Sequence, residues 1–319
     1  MMSALIQADR PANEHHMPDE AELFEQTVPR TLVHRAAVSE VLLTGFRTAG
    51  DDAYRIGAQW SRGHSYYGSV AGRWHDPMLF AESIRQVALF LAHEALRVPL
   101  GSHFATDSTW FDMTEDGARI GSRPAHVSLD VTLRDVVRRR GVVKSYAVDV
   151  IAHRDGARVG SGHLSTQVIP PGVYERLRGG RLGARPSHVV PPSVRPQLVG
   201  REAELDVVLA DGPAVGVRTL RADASHPVLF DHPVDHVPGM VLMEAARQAA
   251  LAELGRPDGL LLAGAASFDQ YVEHDSPCLV TSSAPRQDAT GRQQLSVEFR
   301  QAGERVGSCK VAIHQEPGC

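Results

Sequence analysis

Two long apolar segments dominate the hydropathy pattern of the chain, at residues 78–91 and 240–251. Apolar residues occupy almost every side of a helix drawn through either segment, which is typical of a helix buried by its surroundings. Asp76 is a good N-cap for the first helix, and the proline after it suits the first helical position. Pro238 begins the second helix, which ends before Gly255. The pattern therefore predicts two long, buried helices.

Shorter segments alternate between apolar and polar positions, which is the pattern of half-buried strands. A turn at Asp155-Gly156 joins two of these segments into a predicted hairpin. The predicted strands cover residues 32–34, 38–44, 54–60, 126–133, 142–153 and 158–168, followed by 204–210, 216–220, 262–272, 278–283, 294–301 and 306–314.

The two halves of the chain repeat one another at a constant offset of 162 residues. At this offset His64 matches His226, and a Glu-x-x-Arg-Gln sequence at residues 82–86 matches one at 244–248. One long helix wrapped by a few antiparallel strands is the arrangement called a hotdog. The predicted fold class is therefore α+β, a double hotdog of two tandem units, each with a long central helix wrapped by an antiparallel sheet.

The domain boundaries follow from shifts in composition. Residues 169–199 are rich in Pro, Gly and Arg and have no periodicity, as expected of a linker between units. We predict a flexible N-terminal segment at 1–28, one hotdog unit at 29–168, and a second at 200–319.

Composition narrows the function classes. The chain has 319 residues, 43% of them hydrophobic, and a net charge of −5, which gives no reason to expect nucleic-acid binding. No apolar stretch is long enough to span a membrane, and no signal-peptide core precedes the first unit. Cys278, Cys309 and Cys319 lack metal-ligand spacing and form no disulfide framework. The sequence therefore predicts a reduced, cytoplasmic protein.

Charged residues inside the apolar helices are the first candidates for catalysis. Glu82 and Arg85, like Glu244 and Arg247, are three residues apart and point from the same side of their helix. An ion pair without a catalytic task is the alternative interpretation. The apolar surroundings favour the functional interpretation, because carboxylates are seldom buried without a partner or a task.

The start of the second helix is a candidate oxyanion site. The first turn of a helix has unpaired N–H groups and the positive end of the helix dipole. Gly239 lets a ligand approach this backbone closely, so a thioester or phosphate oxygen would be stabilised there. We therefore add Gly239 to the candidate catalytic residues.

Histidines supply most of the candidate substrate-binding residues. His232 and His236 belong to an Asp/His-rich loop, which would be a metal site only if a third group of ligands lay nearby, and the sequence shows none. Proton transfer or phosphate binding is the other interpretation of these loop histidines. The repeated histidines are explained equally well by backbone partners. The full set of candidate substrate-binding residues is His64, His226, His232, His236, Trp74 and Gln248, with no metal site.

Three segments resemble the A-factor biosynthesis hotdog family: residues 32–44, residues 72–77 (Gly-Arg-Trp-His-Asp-Pro) and residues 226–240. The resemblance covers about residues 28–315 and both repeats. It implies an acyltransferase that joins a β-ketoacyl group, carried on the phosphopantetheine of acyl carrier protein, to dihydroxyacetone phosphate. The implied products lead to γ-butyrolactone, butenolide or furan signalling molecules that control antibiotic production. No further cofactor is implied, and whether two chains form a homodimer is left open.

The predicted mechanism uses the second repeat. Gly239 would stabilise the oxyanion, Glu244 would orient or deprotonate the acceptor hydroxyl, and Arg247 would hold the phosphate. Glu82 and Arg85 would form a second site or support the first.

Three alternatives remain: a hotdog thioesterase, a dehydratase, and a regulator that binds acyl chains or lactones without catalysis. Hotdog dehydratases carry a histidine 14 residues before the position of Glu244, and here that residue is Phe230. This difference argues against a dehydratase. The linker arginines are either a solvated connector or a docking surface for an acidic carrier protein, and they are Arg176, Arg178, Arg181, Arg185 and Arg195.

Overall fold

Thirteen strands form one antiparallel sheet in the part of the chain that the computed structural model describes, residues 20–186 and 190–315. The first six strands are β1 Leu43–Gly50, β2 Ala53–Trp60, β3 His103–Met113, β4 Ala125–Arg139, β5 Val142–Arg154 and β6 Ala157–Ile169. The others are β7 Leu209–Asp211, β8 Val217–Leu220, β9 Leu260–Phe268, β10 Cys278–Ser282, β11 Arg286–Gln287, β12 Gln293–Gln301 and β13 Glu304–His314.

The order of the strands shows the internal repeat. It runs β1-β2-β4-β5-β6-β3-β9-β13-β12-β10-β8-β7, with β11 paired to β12. Strands β3 and β9 form the junction of the two halves, with Ser108 opposite Ser267 and Asp112 opposite Ala263. From this junction outwards each half presents six strands in an equivalent order, so the two units share one sheet.

Each half of the sheet wraps one long helix. Helix α1 is Met78–Glu94 and helix α4 is Gly239–Leu254, while α2 (Glu115–Ala118) and α3 (Pro171–Arg178) are short. Asp76 caps α1 as predicted, because its carboxylate accepts the Met78 amide at 2.9 Å. The predicted α+β double hotdog is confirmed. None of the helices in the described ranges is long and apolar enough to cross a membrane.

Side chains of the sheet anchor α1 by hydrogen bonds as well as by apolar packing. The Trp60 indole donates to Ser83 at 3.1 Å, and the Tyr146 hydroxyl donates to the Ala88 carbonyl at 2.8 Å. All residues of α1 from Met78 to His93 are buried except Arg85. Arg85 is therefore the one partly exposed residue within this buried stretch, and it faces the cavity described below.

Several predicted strands are wrong. Residues 32–34 and 38–44 were expected to be extended, but 3₁₀ helices occupy Arg30–Val33 and Val38–Glu40. A third 3₁₀ helix, Glu204–Asp206, takes the corresponding place in the second half. These apolar segments are short, and a short segment has too few residues to distinguish the period of a strand from that of a helix. The remaining 3₁₀ helices are Glu20–Phe24, Gly179–Arg181 and Pro196–Leu198.

The junction strand β3 was missed. Its first half carries polar residues such as Thr106 and Asp107, which line a cavity and do not pack into a core. Ser102, just before the strand, lines the same cavity. A strand with this burial pattern lacks the alternation on which sequence prediction depends.

The predicted flexible segment and linker contain ordered structure. Residues 1–19 lie outside the described residues, but Leu23 is only 2% exposed and its backbone packs against Gly45 and Gly57. In the predicted linker, α3 buries Tyr174 and Arg178. Both segments are therefore part of the packed structure where they are described, and the predicted unit boundaries remain predictions.

Gly255 ends α4 in the left-handed region, with φ of 61° and its amide directed to the Ala252 carbonyl. No atom lies within 4 Å of the position a Cβ would take there, so Gly255→Ala introduces only backbone strain. We expect a loss of about 1 kcal/mol in the free energy of unfolding, measured by urea denaturation.

Gly180 provides the matched control, because its surroundings are equally open and its φ is not in the left-handed region. Gly180→Ala should change stability by less than about 0.5 kcal/mol. Equal losses in the two variants would show that the left-handed cap is not the cause.

Candidate active site

A buried ionic cluster surrounds Glu82 in helix α1. Its carboxylate pairs with Arg35 at 2.6 Å and with Arg85 at 2.8 Å, and it accepts from Gln86 at 2.7 Å. Gln86 also holds the chain at the end of the 3₁₀ helix Val38–Glu40, because it accepts from the Leu42 amide and donates to the Glu40 carbonyl. The Glu-x-x-Arg-Gln sequence thus builds a complete hydrogen-bond network inside the first unit.

The second unit repeats this cluster around Glu244 in α4. Its carboxylate pairs with Arg201 at 2.9 Å and with Arg247 at 2.8 Å, and it accepts from Gln248 at 2.6 Å. Gln248 accepts from the Val208 amide and donates to the Asp206 carbonyl. The additional arginine of each cluster, Arg35 or Arg201, comes from the segment before the first strand and was not among the predicted site residues.

These additional arginines connect the two units. Arg35 donates to the Val228 carbonyl at 3.1 Å, and Arg201 donates to the Tyr66 carbonyl at 2.6 Å. Val228 and Tyr66 are equivalent positions at the offset of 162 residues. Each arginine therefore binds the glutamate of its own unit and the loop of the other.

The repeated histidines shape those two loops. His64 Nδ1 accepts from the amides of Tyr66 and Tyr67, and His226 Nδ1 accepts from those of Val228 and Leu229. Their Nε2 atoms face carboxylates, Glu40 for His64 and Asp206 for His226. Backbone partners therefore explain both histidines, and neither lies at the cavity wall.

The arginines keep both glutamates ionised. Burial alone would raise the pKa of Glu82, but Arg35 and Arg85 lower it to about 2. The same balance, with Arg201 and Arg247, lowers the pKa of Glu244 to about 2. A carboxylate with so low a pKa is a poor general base, so these groups act as fixed anions that hold arginines.

The second arginines of the two clusters differ in a neighbouring carboxylate. Arg247 donates to Asp76 at 3.0 Å, and its side chain is only 6% exposed. Position 238, which corresponds to Asp76 at the repeat offset, is proline. Arg85 therefore has no such carboxylate, and its side chain is 25% exposed. One cluster is closed by a salt bridge between the units, whereas the other is open.

The open cluster faces a cavity of about 800 Å³. Arg35, Arg85 and Tyr67 lie in its wall, and the first turn of α4 lies in it as well. Apolar side chains from both units line the rest, including Ala88, Leu89, Leu164, Leu242 and Met243. The cavity thus combines fixed positive charge with an apolar surface.

The N-terminus of α4 opens into this cavity without a side-chain cap. Pro238 occupies the N-cap position and supplies no cap hydrogen bond, and no partner within the described ranges binds the amides of Gly239 and Met240. A Cβ at Gly239 would lie 3.0 Å from the Phe268 ring, so glycine permits the tight packing of this turn. The predicted oxyanion site therefore has free donors in the cavity.

The Asp/His-rich loop forms another part of the wall. His232 and His236 both line the cavity, whereas Asp235 lies behind them and pairs with His236 at 2.8 Å. Helix α3 holds Asp235 in place, because the Tyr174 hydroxyl donates to it at 2.6 Å and Arg178 at 3.1 Å. Among the described residues, no group of three or more His, Cys, Asp or Glu side chains is arranged to hold a metal ion.

The structure separates the predicted site residues into two groups. Arg85, Gly239, His232 and His236 line the cavity. The others do not, and they are Glu82, Glu244, Arg247, Gln248, His64, His226 and Trp74. Trp74 is buried and bridges to Val70 and Arg119. The expectation that Arg247 holds a phosphate does not fit its position, because Asp76 already occupies its outer face.

Sequence reasoning missed further cavity residues, among them His34, Arg35, Tyr67 and Tyr174. For His34 and Arg35 the sequence did contain a signal, because both lie in residues 32–44, one of the segments that resemble the family. Its composition alone, however, predicted only a strand. Arg178 is likewise not a surface residue of the linker, because it is buried between Asp235 and Glu273.

Comparisons with known proteins agree with the two-unit architecture. The A-factor biosynthesis hotdog domain matches residues 16–170 and again 184–314. A protein of Streptomyces virginiae named 2-oxo-3-(phosphooxy)propyl 3-oxoalkanoate synthase is 40% identical over 286 residues, covering 89% of this chain and 97% of the relative. Proteins of the same name from Streptomyces coelicolor and Streptomyces griseus are 34% and 33% identical, covering 90% and 86% of this chain and 92% and 90% of the relatives.

Solved structures show the same fold at low sequence identity. An oleoyl thioesterase from Lactobacillus plantarum has a TM-score of 0.51 at 11% identity, covering 83% of this chain and 97% of the other. An acyl-ACP thioesterase from Bacteroides thetaiotaomicron has a TM-score of 0.50, also at 11% identity, covering 83% and 98%. At this identity the likeness is evidence for the fold alone.

Because the pKa of Glu244 is lowered in the folded protein, we expect the free energy of unfolding to fall at acidic pH. Because the folded pKa is about 2 and the ordinary value is 4.5, the ionised cluster stabilises the protein fully above about pH 5 and less as the pH falls. Glu244→Gln should lower the free energy of unfolding at pH 7 by about 3–5 kcal/mol, since it takes from Arg201 its paired carboxylate and leaves Arg247 with Asp76 alone. It should also make the decline between about pH 5 and pH 3 shallower, as measured by urea denaturation.

Glu298→Gln is the control, because Glu298 is 40% exposed and pairs only with Arg300 at the surface. Its pH dependence should parallel that of the unaltered protein. Parallel curves for Glu244→Gln as well would contradict the assignment of a buried, ionised carboxylate.

Proposed function

The chain belongs to the A-factor biosynthesis hotdog family, and from this premise we propose that it catalyses transfer of a 3-oxoacyl group to the free hydroxyl of dihydroxyacetone phosphate. The name of the relatives describes the product of this step, an ester of a 3-oxoalkanoate with a 2-oxo-3-(phosphooxy)propyl group. The observation that carries the proposal is the cavity, in which the unpaired face of Arg85 and the free N-terminus of α4 adjoin apolar side chains from both units.

The reaction needs an activated acyl donor and loses a thiol. The acceptor oxygen attacks the thioester carbonyl and forms a new C–O bond, and the carbonyl oxygen becomes an oxyanion. Collapse of this intermediate breaks the C–S bond and releases the thiol after it gains a proton. The protein therefore has to bind a phosphate, stabilise an oxyanion and move one proton.

Arg85 is the residue that we assign to the phosphate. Its Nε and one terminal nitrogen bind Glu82, whereas Nη1 has no partner among the described residues. A guanidinium carries a delocalised positive charge and presents a planar set of donors that suits phosphate oxygens. Glu82 fixes its orientation, and Arg35 adds a second positive charge at the same wall. This assignment replaces Arg247, whose equivalent face is occupied by Asp76.

The amides of Gly239 and Met240 are suited to the oxyanion. They belong to the first turn of α4, where the helix dipole adds partial positive charge. Donors that are fixed before the reaction stabilise developing negative charge without reorganisation. The apolar side chains beside them, including Leu242 and Met243, are suited to hold the acyl chain away from water.

An acyl carrier protein is the donor that we propose, in the role the family resemblance implies. Leu177 and Arg181 are 64% and 54% exposed and lie at the cavity wall, so α3 and the turn after it present apolar and basic groups at the mouth. Arg181 pairs with Asp275 at 3.2 Å but is half exposed, so its guanidinium is accessible to an acidic protein. The phosphopantetheine of the carrier would deliver the thioester, with no other cofactor.

The test is ester formation from a 3-oxoacyl carrier protein and dihydroxyacetone phosphate, followed by mass spectrometry. Arg85→Met should raise KM for dihydroxyacetone phosphate about 10- to 100-fold, because a hydrogen-bonded charge of this kind contributes about 1.5–3 kcal/mol. With unphosphorylated dihydroxyacetone the variant and the unaltered protein should react equally slowly, so a folding defect is separated from lost phosphate binding.

Arg97→Met is the matched control, since Arg97 is 77% exposed and its nearest acidic partner, Glu94, lies at the surface. It should leave KM unchanged. Hydrolysis of the thioester without any use of the acceptor would instead support a thioesterase, and stoichiometric ligand binding without product would support a regulator.

A further inference from the structure

Two adjacent Asp/His pairs lie at the cavity, and His236 with Asp235 is the shorter of them, at 2.8 Å against 3.4 Å for His232 with Asp231. His236 Nδ1 lies 2.8 Å from Asp235 Oδ1, and its Nε2 has no partner among the described residues. His236 lines the cavity and is 25% exposed, whereas Asp235 is buried behind it. One ring nitrogen therefore faces a carboxylate and the other is open to the cavity.

The protonation of this pair follows from its partners. Asp235 accepts from the Tyr174 hydroxyl at 2.6 Å and from Arg178 Nε at 3.1 Å. Although burial opposes ionisation, these donors and His236 hold the pKa of Asp235 far below its ordinary value. An ionised carboxylate only accepts hydrogen bonds, so His236 carries its proton on Nδ1 and leaves Nε2 as an acceptor.

The carboxylate is itself firmly anchored. Arg178 also donates to the Asp235 carbonyl at 2.7 Å and binds both oxygens of Glu273 at 2.7 Å. Its guanidinium lies over the Tyr271 ring. Because Tyr174 and Arg178 belong to α3, the segment between the two units fixes the orientation of a histidine in the second unit.

We propose that His236 is the general base of the acyl transfer and that Asp235 is its positioning residue. This assignment rests on the proposed function. As the acceptor oxygen bonds to the thioester carbon, its proton moves to His236 Nε2. When the C–S bond breaks, the departing sulfur takes this proton, so His236 returns to its neutral form.

His34 is one rival proton acceptor in the cavity, which His103 and His232 also line. Its Nε2 lies 2.9 Å from His93 Nε2, while His93 Nδ1 donates to the Val98 carbonyl. His34 Nδ1 is therefore left as an acceptor. Burial, with contributions from His93 and Arg85, lowers its pKa to about 3, so it holds a proton weakly. Among the described residues, no carboxylate is hydrogen-bonded to His34 as Asp235 is to His236.

The first experiment compares kcat and KM. His236→Gln should lower kcat for ester formation about 100-fold or more and change KM for dihydroxyacetone phosphate less than threefold, since loss of a general base costs about 10²–10⁴ in rate. Imidazole added to His236→Ala should restore part of kcat. A kcat near that of the unaltered protein in His236→Gln, or loss of kcat in His34→Gln alone, would overturn the assignment.

His163 supplies a matched control. It pairs with Asp149 at 2.7 Å, is 24% exposed and does not line the cavity. His163→Gln thus removes the same kind of pair at a distance from the chemistry, and it should leave kcat unchanged.

A second measurement needs no activity. In protein with ¹⁵N-labelled histidine, NMR should show His236 protonated on Nδ1. In Asp235→Asn, the proton should move to Nε2, because the carboxamide directs its N–H₂ group at the ring, and kcat should fall with it. An Nε2 proton in the unaltered protein would overturn this inference even if ester forms. Absence of ester with the expected NMR result would overturn the proposed function instead.

Discussion

The reciprocal contact of Arg35 and Arg201 is the constraint on which the rest of the structure depends. Each guanidinium binds a buried glutamate of its own unit and a loop carbonyl of the other. An ion removed from water is stable only when its partners are all in place, and a cluster that loses one partner is strongly destabilised. Each cluster therefore gains one of its hydrogen bonds only when the other unit is in place. These reciprocal contacts fix the two hotdog units against each other, beside the cavity that both of them line.

The difference at one repeated position, Asp76 against Pro238, separates an open cluster from a closed one. Asp76 closes the second cluster through Arg247, and proline at position 238 leaves the first one open. The same position also sets the chemistry of the helix start. Asp76 caps α1 with its carboxylate, whereas Pro238 leaves the α4 amides free. One site thus acquires an available cation and available amide donors together, while its counterpart stabilises the interface.

The segment between the two units does more than connect them, because it also packs against the cavity wall. Helix α3 returns towards the second unit, buries Tyr174 and Arg178 against the Asp/His-rich loop and leaves Leu177 at the cavity mouth. The length and composition of a linker do not predict that it packs against one of the units. The partners of α3 in this packing are distant from it in the sequence. Here those contacts, Asp235 and Glu273, lie about 60 and 95 positions away.

The sequence by itself determined the two units, their long buried helices and the presence of ionised residues within them. These features are local or periodic, and they depend only on which side chains avoid water. It also marked Arg85, Gly239, His232 and His236, but it could not rank them above Glu244 and Arg247. That ranking depends on whether a third group, Asp76, reaches Arg247 from the other unit. Contacts between residues 171 positions apart follow from how two helices are placed in one sheet. Only the tertiary structure decided which of two equal motifs faces a cavity, because the motifs differ in their neighbours and not in themselves.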